Sequence, residues 1–208
     1  MPNEDLRPQD AGLDPDTDGR ELFRSKGHAR RYGVAALAAL GVLVPAAAPT
    51  TASAGCKNRD AHPAEVSKAK IKRATLCLLN RRRAAHGRRK LSHNKRLGRA
   101  ARAHARDMVS RRYFSHTAPG GVSFVDRIMR ADYIDPGEGW TLGENLAWGS
   151  YQLATPRSIV HRWMQSTGHR ANILNPRFRE IGIGVASGAP QPGTENAATY
   201  ATSFGTRF

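Results

Sequence analysis

The stretch Ile181-Gly182-Ile183-Gly184-Val185 restricts the fold more than any other part of this chain. Ile181, Ile183 and Val185 alternate with Gly182, Gly184 and Ala186, and a period of two predicts a strand. One face of that strand is apolar. The other carries almost no side chain, and glycine inside a strand lets another group lie close against it. A Gly/Pro-rich loop over about residues 187–197 follows. Thr199 to Phe204 then reads as a returning strand, with Tyr200, Thr202 and Phe204 on one face.

The rest of the chain has mainly helical patterns. From Val66 to Gly87 the expected apolar face is Val66, Ala69, Ala74, Cys77, Leu78 and Ala85, with Gly87 as the stop. A second helix begins after Asn94, a residue suited to capping. Leu97, Ala101, His104 and Met108 share one sector of it, and Lys95, Arg99, Arg102 and Arg106 share a nearly opposite one. His104 lies in the apolar sector and reads as a buried structural histidine. Tyr113-Phe114-Ser115-His116 ends this helix, and Ala118-Pro119-Gly120-Gly121 makes a turn. Ser123 can cap a short helix containing Phe124, Ile128 and Met129. A loop with Asp135-Pro136-Gly137 leads to Gly143-Glu144-Asn145-Leu146-Ala147-Trp148-Gly149, where a lone glutamate sits in an apolar run. In structural terms Glu144 calls for an ion pair or a capping role. Thr155-Pro156 is a helix start, with Ile159, Val160, Trp163 and Met164 as its apolar face.

That helix runs into Ser166-Thr167-Gly168, and His169 opens a second helical pattern. Ser166 or Thr167 is suited to cap it through its side chain. Ile173 lies four residues after His169 and shares its face, which would root the histidine on packed structure.

The first part of the chain has a different character. Arg30-Arg31 precede an uncharged run from Gly33 to Val44, and Ala52-Ser53-Ala54 follows Pro45. Twelve apolar residues suit a signal-peptide core and fall short of a bilayer span. The expected organisation is a polar extension plus secretory signal over 1–54, an extended lead-in over 55–65 and one domain over 66–208. No transmembrane span is expected in the mature chain. The net charge is +16, and the leader is nearly neutral, so the excess falls on the exported part. Export with that charge points to anionic cell-wall polymer or lipid as partner and disfavours nucleic acid. The cationic sector Lys95, Arg99, Arg102 and Arg106 is the surface expected to adhere, together with Arg81-Arg82-Arg83 and Arg88-Arg89-Lys90. Its bland alternative is a solvated face. Cys56 and Cys77 are the two cysteines, and export permits a disulfide between them. A second reading makes Ser53-Ala54-Gly55-Cys56 a lipoprotein signal with Cys56 lipidated at the cell surface.

Taken together, Leu79-Asn80-Arg81, Tyr113-Phe114-Ser115-His116, Gly143 to Trp148, Trp163 with Ser166-Thr167-Gly168-His169-Arg170, and the two final strands resemble the CAP superfamily (SCP domain) of secreted proteins, in its bacterial branch. The resemblance covers about residues 66–208. It implies an α+β fold, a three-layer α-β-α sandwich with a small antiparallel sheet. It also implies a cleft with two histidines and two glutamates, able in some members to hold a divalent metal, and in some a lipid or sterol. His116, Glu144 and His169 match three of the four; Ser166 stands where the second glutamate falls.

Two histidines and a carboxylate are ligand types of an open zinc centre. With one carboxylate missing, zinc or another divalent metal is expected to bind weakly. An alternative chemistry makes Ser166 a nucleophile, His169 its base and Glu144 the orienter, but no nucleophile-elbow pattern surrounds Ser166. A binding module, for an anionic surface and a small hydrophobic ligand or metal, is therefore expected over a metal-assisted or serine-type hydrolase of peptides or cell-wall polymers.

Overall fold

The computed structural model describes residues 55–135 and 137–208. The expected leader, and Pro136 of the Asp135-Pro136-Gly137 loop, lie outside the described residues. In chain order the elements are α1 (Lys68–Ala85), β1 (Ser92–His93), α2 (Lys95–Arg111), α3 (Phe124–Met129) and β2 (Trp140–Ser150). A short 3₁₀ helix (Tyr151–Ala154), α4 (Pro156–Gln165), α5 (Thr167–Leu174), β3 (Glu180–Ser187) and β4 (Ala197–Arg207) follow.

The alternating strand sets the layers. What lies close to the glycine face of β3 is the backbone of α2. A Cβ on Gly182 would collide with the carbonyl of Leu97, and one on Gly184 with the carbonyl of Ala101. The same side is lined mainly by alanines, with two larger side chains: Ala101, Ala105 and Met108 of α2 meet Ala186 of β3, Ala201 of β4 and Leu146 of β2. On the opposite side Ile181, Ile183, Val185, Tyr200 and Phe204 pack with Ile71 and Leu79 of α1, Ile159 and Trp163 of α4 and Ile173 of α5. Each fully buried Ile, Leu or Phe here contributes about 1.5–3 kcal/mol of transfer free energy. The sheet is thus a middle layer between α2 and the group α1, α4 and α5, as the α-β-α expectation requires.

Sheet order is β1-β3-β4-β2. β4 is antiparallel to both neighbours. The two-residue β1 adds a parallel edge that the sequence patterns did not indicate. Glu144 pairs with Ser203 and Asn145 with Thr202, so adjacent residues of β2 address opposite layers. The outer edge of β2 is covered. Asn172 Nδ2, Trp163 Nε1 and Arg162 Nη2 donate to the carbonyls of Glu144, Leu146 and Trp148 at 3.1, 2.8 and 2.9 Å.

The expected caps mostly form. Asn94 accepts from the backbone of Arg96 and Leu97, and Ser123 with Asp126 forms a reciprocal capping box on α3. Thr155 accepts from Ser158 at the start of α4. Ser166 differs from expectation. Its backbone occupies the N-cap position of α5, but neither its side chain nor that of Thr167 makes a capping bond; Arg170 N–H bonds the Ser166 carbonyl instead.

The face of α1 is also corrected. Its buried residues are Ile71, Ala74, Thr75, Leu79 and Arg83, while Ala69 and Ala85 are exposed. The reason is Arg83. Its guanidinium is fully buried and donates to the carbonyls of Arg89, Ile173, Asn175 and Phe178, which lie at or beyond the end of α5 or before β1. A buried charge is tolerated when its donors are satisfied, and this one ties three segments together. Cys56 and Cys77 form a disulfide, with Cα atoms 5.7 Å apart, that anchors the lead-in to α1. The Cys56 sulfur is thereby engaged, against the lipidated alternative. Among the described residues no helix is long and apolar enough to cross a membrane.

Candidate functional site

Glu144 is the centre of the site. It projects from β2 toward the α2 layer and is almost fully buried. A buried carboxylate needs compensation, and Arg127 of α3 supplies it. Nη2 of Arg127 lies 2.9 Å from each oxygen of Glu144. The same guanidinium donates to the carbonyls of His116 and Val122, at 2.8 and 3.0 Å. The capping box at Ser123 therefore does more than start a helix. It fixes the turn on which Arg127 is carried to the carboxylate.

His116 Nδ1 donates to Glu144 Oε1 at 2.9 Å. Its side chain is 30% exposed, against 2% for Glu144 and 10% for Arg127, so it is the member of this group that meets solvent. His104 approaches from α2, with Nε2 3.9 Å from Glu144 Oε1. That nitrogen donates to the Ser115 carbonyl at 3.0 Å. Burial lowers the His104 pKa, partly offset by the Glu144 charge, and so disfavours the protonated ring. Sequence placed His104 correctly in the core but gave no sign that it borders the carboxylate.

His169 stands at the start of α5, as expected, with Ile173 buried one turn on. Asn145 Nδ2 donates to the His169 carbonyl at 3.0 Å, and Asn172 Nδ2 donates to Asn145 Oδ1 at 2.9 Å. This pair of asparagines pins α5 to β2. The His169 pKa is pushed down to about 4, first by burial and then by the proximity of His116. Its Nδ1 is buried without a hydrogen-bond partner among the described residues.

His116 and Glu144 are thus joined, and His169 lies within electrostatic reach of His116. The alternative serine-nucleophile arrangement is not seen among the described residues. No hydrogen bond links Ser166 to His169, and Glu144 orients His116 rather than His169. The Ser166–His169–Glu144 arrangement is not assembled. Nor does the donor set fit a divalent cation as it stands. Arg127 occupies the carboxylate, and among the described residues no three His, Cys, Asp or Glu side chains converge in a metal-ligand cluster. Arg127 is the residue that sequence reasoning missed. The only available signal was the need of Glu144 for a counter-charge.

The expected adhesive sector is exposed on α2. Lys95, Arg102 and Arg106 have no acidic partner among the described residues, whereas Arg99 pairs with Asp132 at 3.1 Å and bonds the Ala131 carbonyl.

In this sandwich the Glu144–His116 pair is carried on β2, the strand at one end of the sheet order. The description of CAP, the cysteine-rich secretory protein family, matches residues 76–202, and the chain belongs to that family. It is 41% identical over 113 residues to the uncharacterized protein YkwD of Bacillus subtilis, covering 54% of this chain and 41% of YkwD. It is 33% identical to the uncharacterized membrane protein YlbC of the same organism, covering 53% of this chain and 30% of YlbC. The chain therefore spans well under half the length of these curated relatives. Among solved structures it resembles an extracellular protein containing an SCP domain from Bacillus anthracis, at 25% identity and TM-score 0.50, over 67% of this chain and 43% of that one. An outer surface protein from Borrelia burgdorferi shares the fold at 20% identity and TM-score 0.57, over 69% of this chain and 97% of that one.

Proposed function

We propose that this CAP domain is an extracellular binding module that adheres to an anionic envelope polymer. The observation that carries this is the exposed cationic sector of α2, where Lys95, Arg102 and Arg106 stand without acidic partners among the described residues. Cations held on a rigid helix keep their spacing, so they meet a polyanion with little ordering cost. The likeness to an extracellular SCP-domain protein supports a location outside the cell. The state of Glu144 favours binding over hydrolysis. A carboxylate engaged on both oxygens by Arg127 is poorly placed to take a proton from water. The test is a pull-down of the full chain on isolated envelope across a salt series. Binding should fall steeply above ~0.15 M salt, where the screening length is about 8 Å. Charge reversal at Arg102 and Arg106 should weaken it with the circular dichroism unchanged. Salt-independent retention would reject this reading.

A further inference from the structure

We infer that one groove within the cationic surface is a discrete recognition site for a tetrahedral phosphate group, as carried by a phosphodiester-linked polymer. This rests on the adhesive reading above and narrows it from a charged face to a single site. The groove has a volume of about 310 Å³ and is lined by Lys72, His93, Lys95, Gly98, Arg99 and Arg102. It crosses the β1 edge of the sheet. Lys72 comes from α1 in one outer layer, His93 from β1 in the middle, and the remainder from α2 in the other outer layer.

Three features point to phosphate. First, no acidic side chain lines the groove. Lys72, Lys95 and Arg102 have no hydrogen-bond or ion-pair partner among the described residues, and Arg99 commits Nη2 alone, to Asp132 and Ala131. Second, the donors converge from three layers, around more than one plane. A carboxylate offers two oxygens in one plane, whereas phosphate offers oxygens in several directions and suits both Arg forks and Lys point charges. Third, Gly98 forms part of the wall. Beyond its own stretch of helix backbone, a Cβ built there would meet only the His93 ring within 4 Å, the nearer atom at 3.2 Å. The absence of a side chain at 98 keeps the groove open and lets the ring lie beside α2.

A polymer fits better than a membrane surface. Among the described residues the large exposed apolar side chains are Met129, Trp140, Tyr151, Leu153 and Phe208, and none lines the groove. A membrane-docking face combines cations with apolar side chains that enter the interface. A single-stranded nucleic acid is a poorer match too, because no Phe, Tyr or Trp is present for bases to stack on.

The experiment measures fluorescence anisotropy of a labelled synthetic glycerol-phosphate oligomer with the full chain at fixed ionic strength. Lys95→Ala with Arg102→Ala removes two groove charges. Lys70→Ala with Arg73→Ala removes two exposed charges outside both the groove and the cationic sector of α2. The groove pair should weaken binding about tenfold or more, at roughly a factor of five per residue, and the control pair less than about threefold. Gly98→Met, which alters no charge, should also weaken binding. Its stability should hold or rise, since glycine is a poor helix former. Polyglutamate of equal charge should bind less tightly than the phosphate oligomer. Equal loss from the two charge pairs would overturn the groove and leave diffuse adhesion standing. Failure of the oligomer and polyglutamate alike to bind would remove both readings. Tighter binding to phosphatidylglycerol vesicles, or to single-stranded DNA, than to the oligomer would overturn the polymer assignment.

Discussion

Arg127 Nη2 sits 2.9 Å from both carboxylate oxygens of Glu144, with the two side chains 10% and 2% exposed. This buried pair decides what the site can do. It neutralises the carboxylate, orients His116 through it, and leaves no oxygen of Glu144 free of the guanidinium.

Breaking the pair from one side should cost far more than removing both members. Glu144→Ala leaves a buried guanidinium uncompensated and should destabilise the domain by about 3–5 kcal/mol in urea titrations at pH 7.5. Arg127→Met should cost a similar amount. The double variant should recover a large part of the loss. A Glu144→Ala loss under about 1 kcal/mol would show the pair to be solvent-compensated instead.

Zinc should bind weakly, because coordination by Glu144 requires the guanidinium to leave. Calorimetric titration of the wild type near pH 7.5 should give little heat. Arg127→Gln, which keeps a neutral donor, should bind more tightly than wild type, and His116→Ala in that background should lose the gain. Tight stoichiometric zinc uptake by the unmodified protein would mean that the pair opens far more readily than its burial implies.

Acid should destabilise the domain through its neutral histidines. His169 is held near 4 in the folded chain, first by burial and then by His116, whereas an unfolded histidine titrates near 6.5. Between those values the unfolded chain binds a proton that the folded chain refuses. Stability therefore falls as pH drops through that window, at up to about 1.4 kcal/mol per pH unit for one such site. His104, also lowered by burial, acts in the same direction. Urea midpoints from pH 7.5 to 4.5 should show the slope, and His169→Gln should flatten it. An unchanged slope in that variant would place the acid sensitivity elsewhere.

What the sequence disclosed was mainly local. Asn94, Ser123 and Thr155 announce helix starts because capping joins residues two or three apart. The sector of Leu97, Ala101, His104 and Met108 follows from helical period alone, and all four are buried. Gly182 and Gly184 told that something lies close, though not that it is α2. The misses are tertiary. Arg127 meets Glu144 across 17 residues, and no spacing rule links them. On α1 the buried face is anchored by Arg83, whose burial depends on carbonyls about 90 residues away, so hydropathy pointed to Ala69 and Ala85 instead. His116, Glu144 and His169 came from family resemblance; the residues alone gave no reason to join them.

Oxidation should matter to stability as well. The Cys56–Cys77 bridge closes a separation of 21 residues, for which chain-entropy reasoning gives roughly 3 kcal/mol. Cys56→Ser with Cys77→Ser should lower the Tm and free the lead-in for proteolysis near residues 57–62. Intact mass of the wild-type chain should lack two hydrogens relative to the reduced form and carry no acyl group. A diacylglyceryl mass on Cys56 would exclude the bridge.

The side chains of Arg162, Trp163 and Asn172, set along the rim of β2, have a consequence for how this domain meets other molecules. A strand whose rim carbonyls are already taken offers a poor template to an incoming extended peptide. Along this border the domain is closed to assembly by strand addition and guarded against the fibrous self-association that open borders invite. Partners approaching β2 must engage it through side chains, and the polarity of those side chains, more than any backbone complementarity, will set which partners are accepted there.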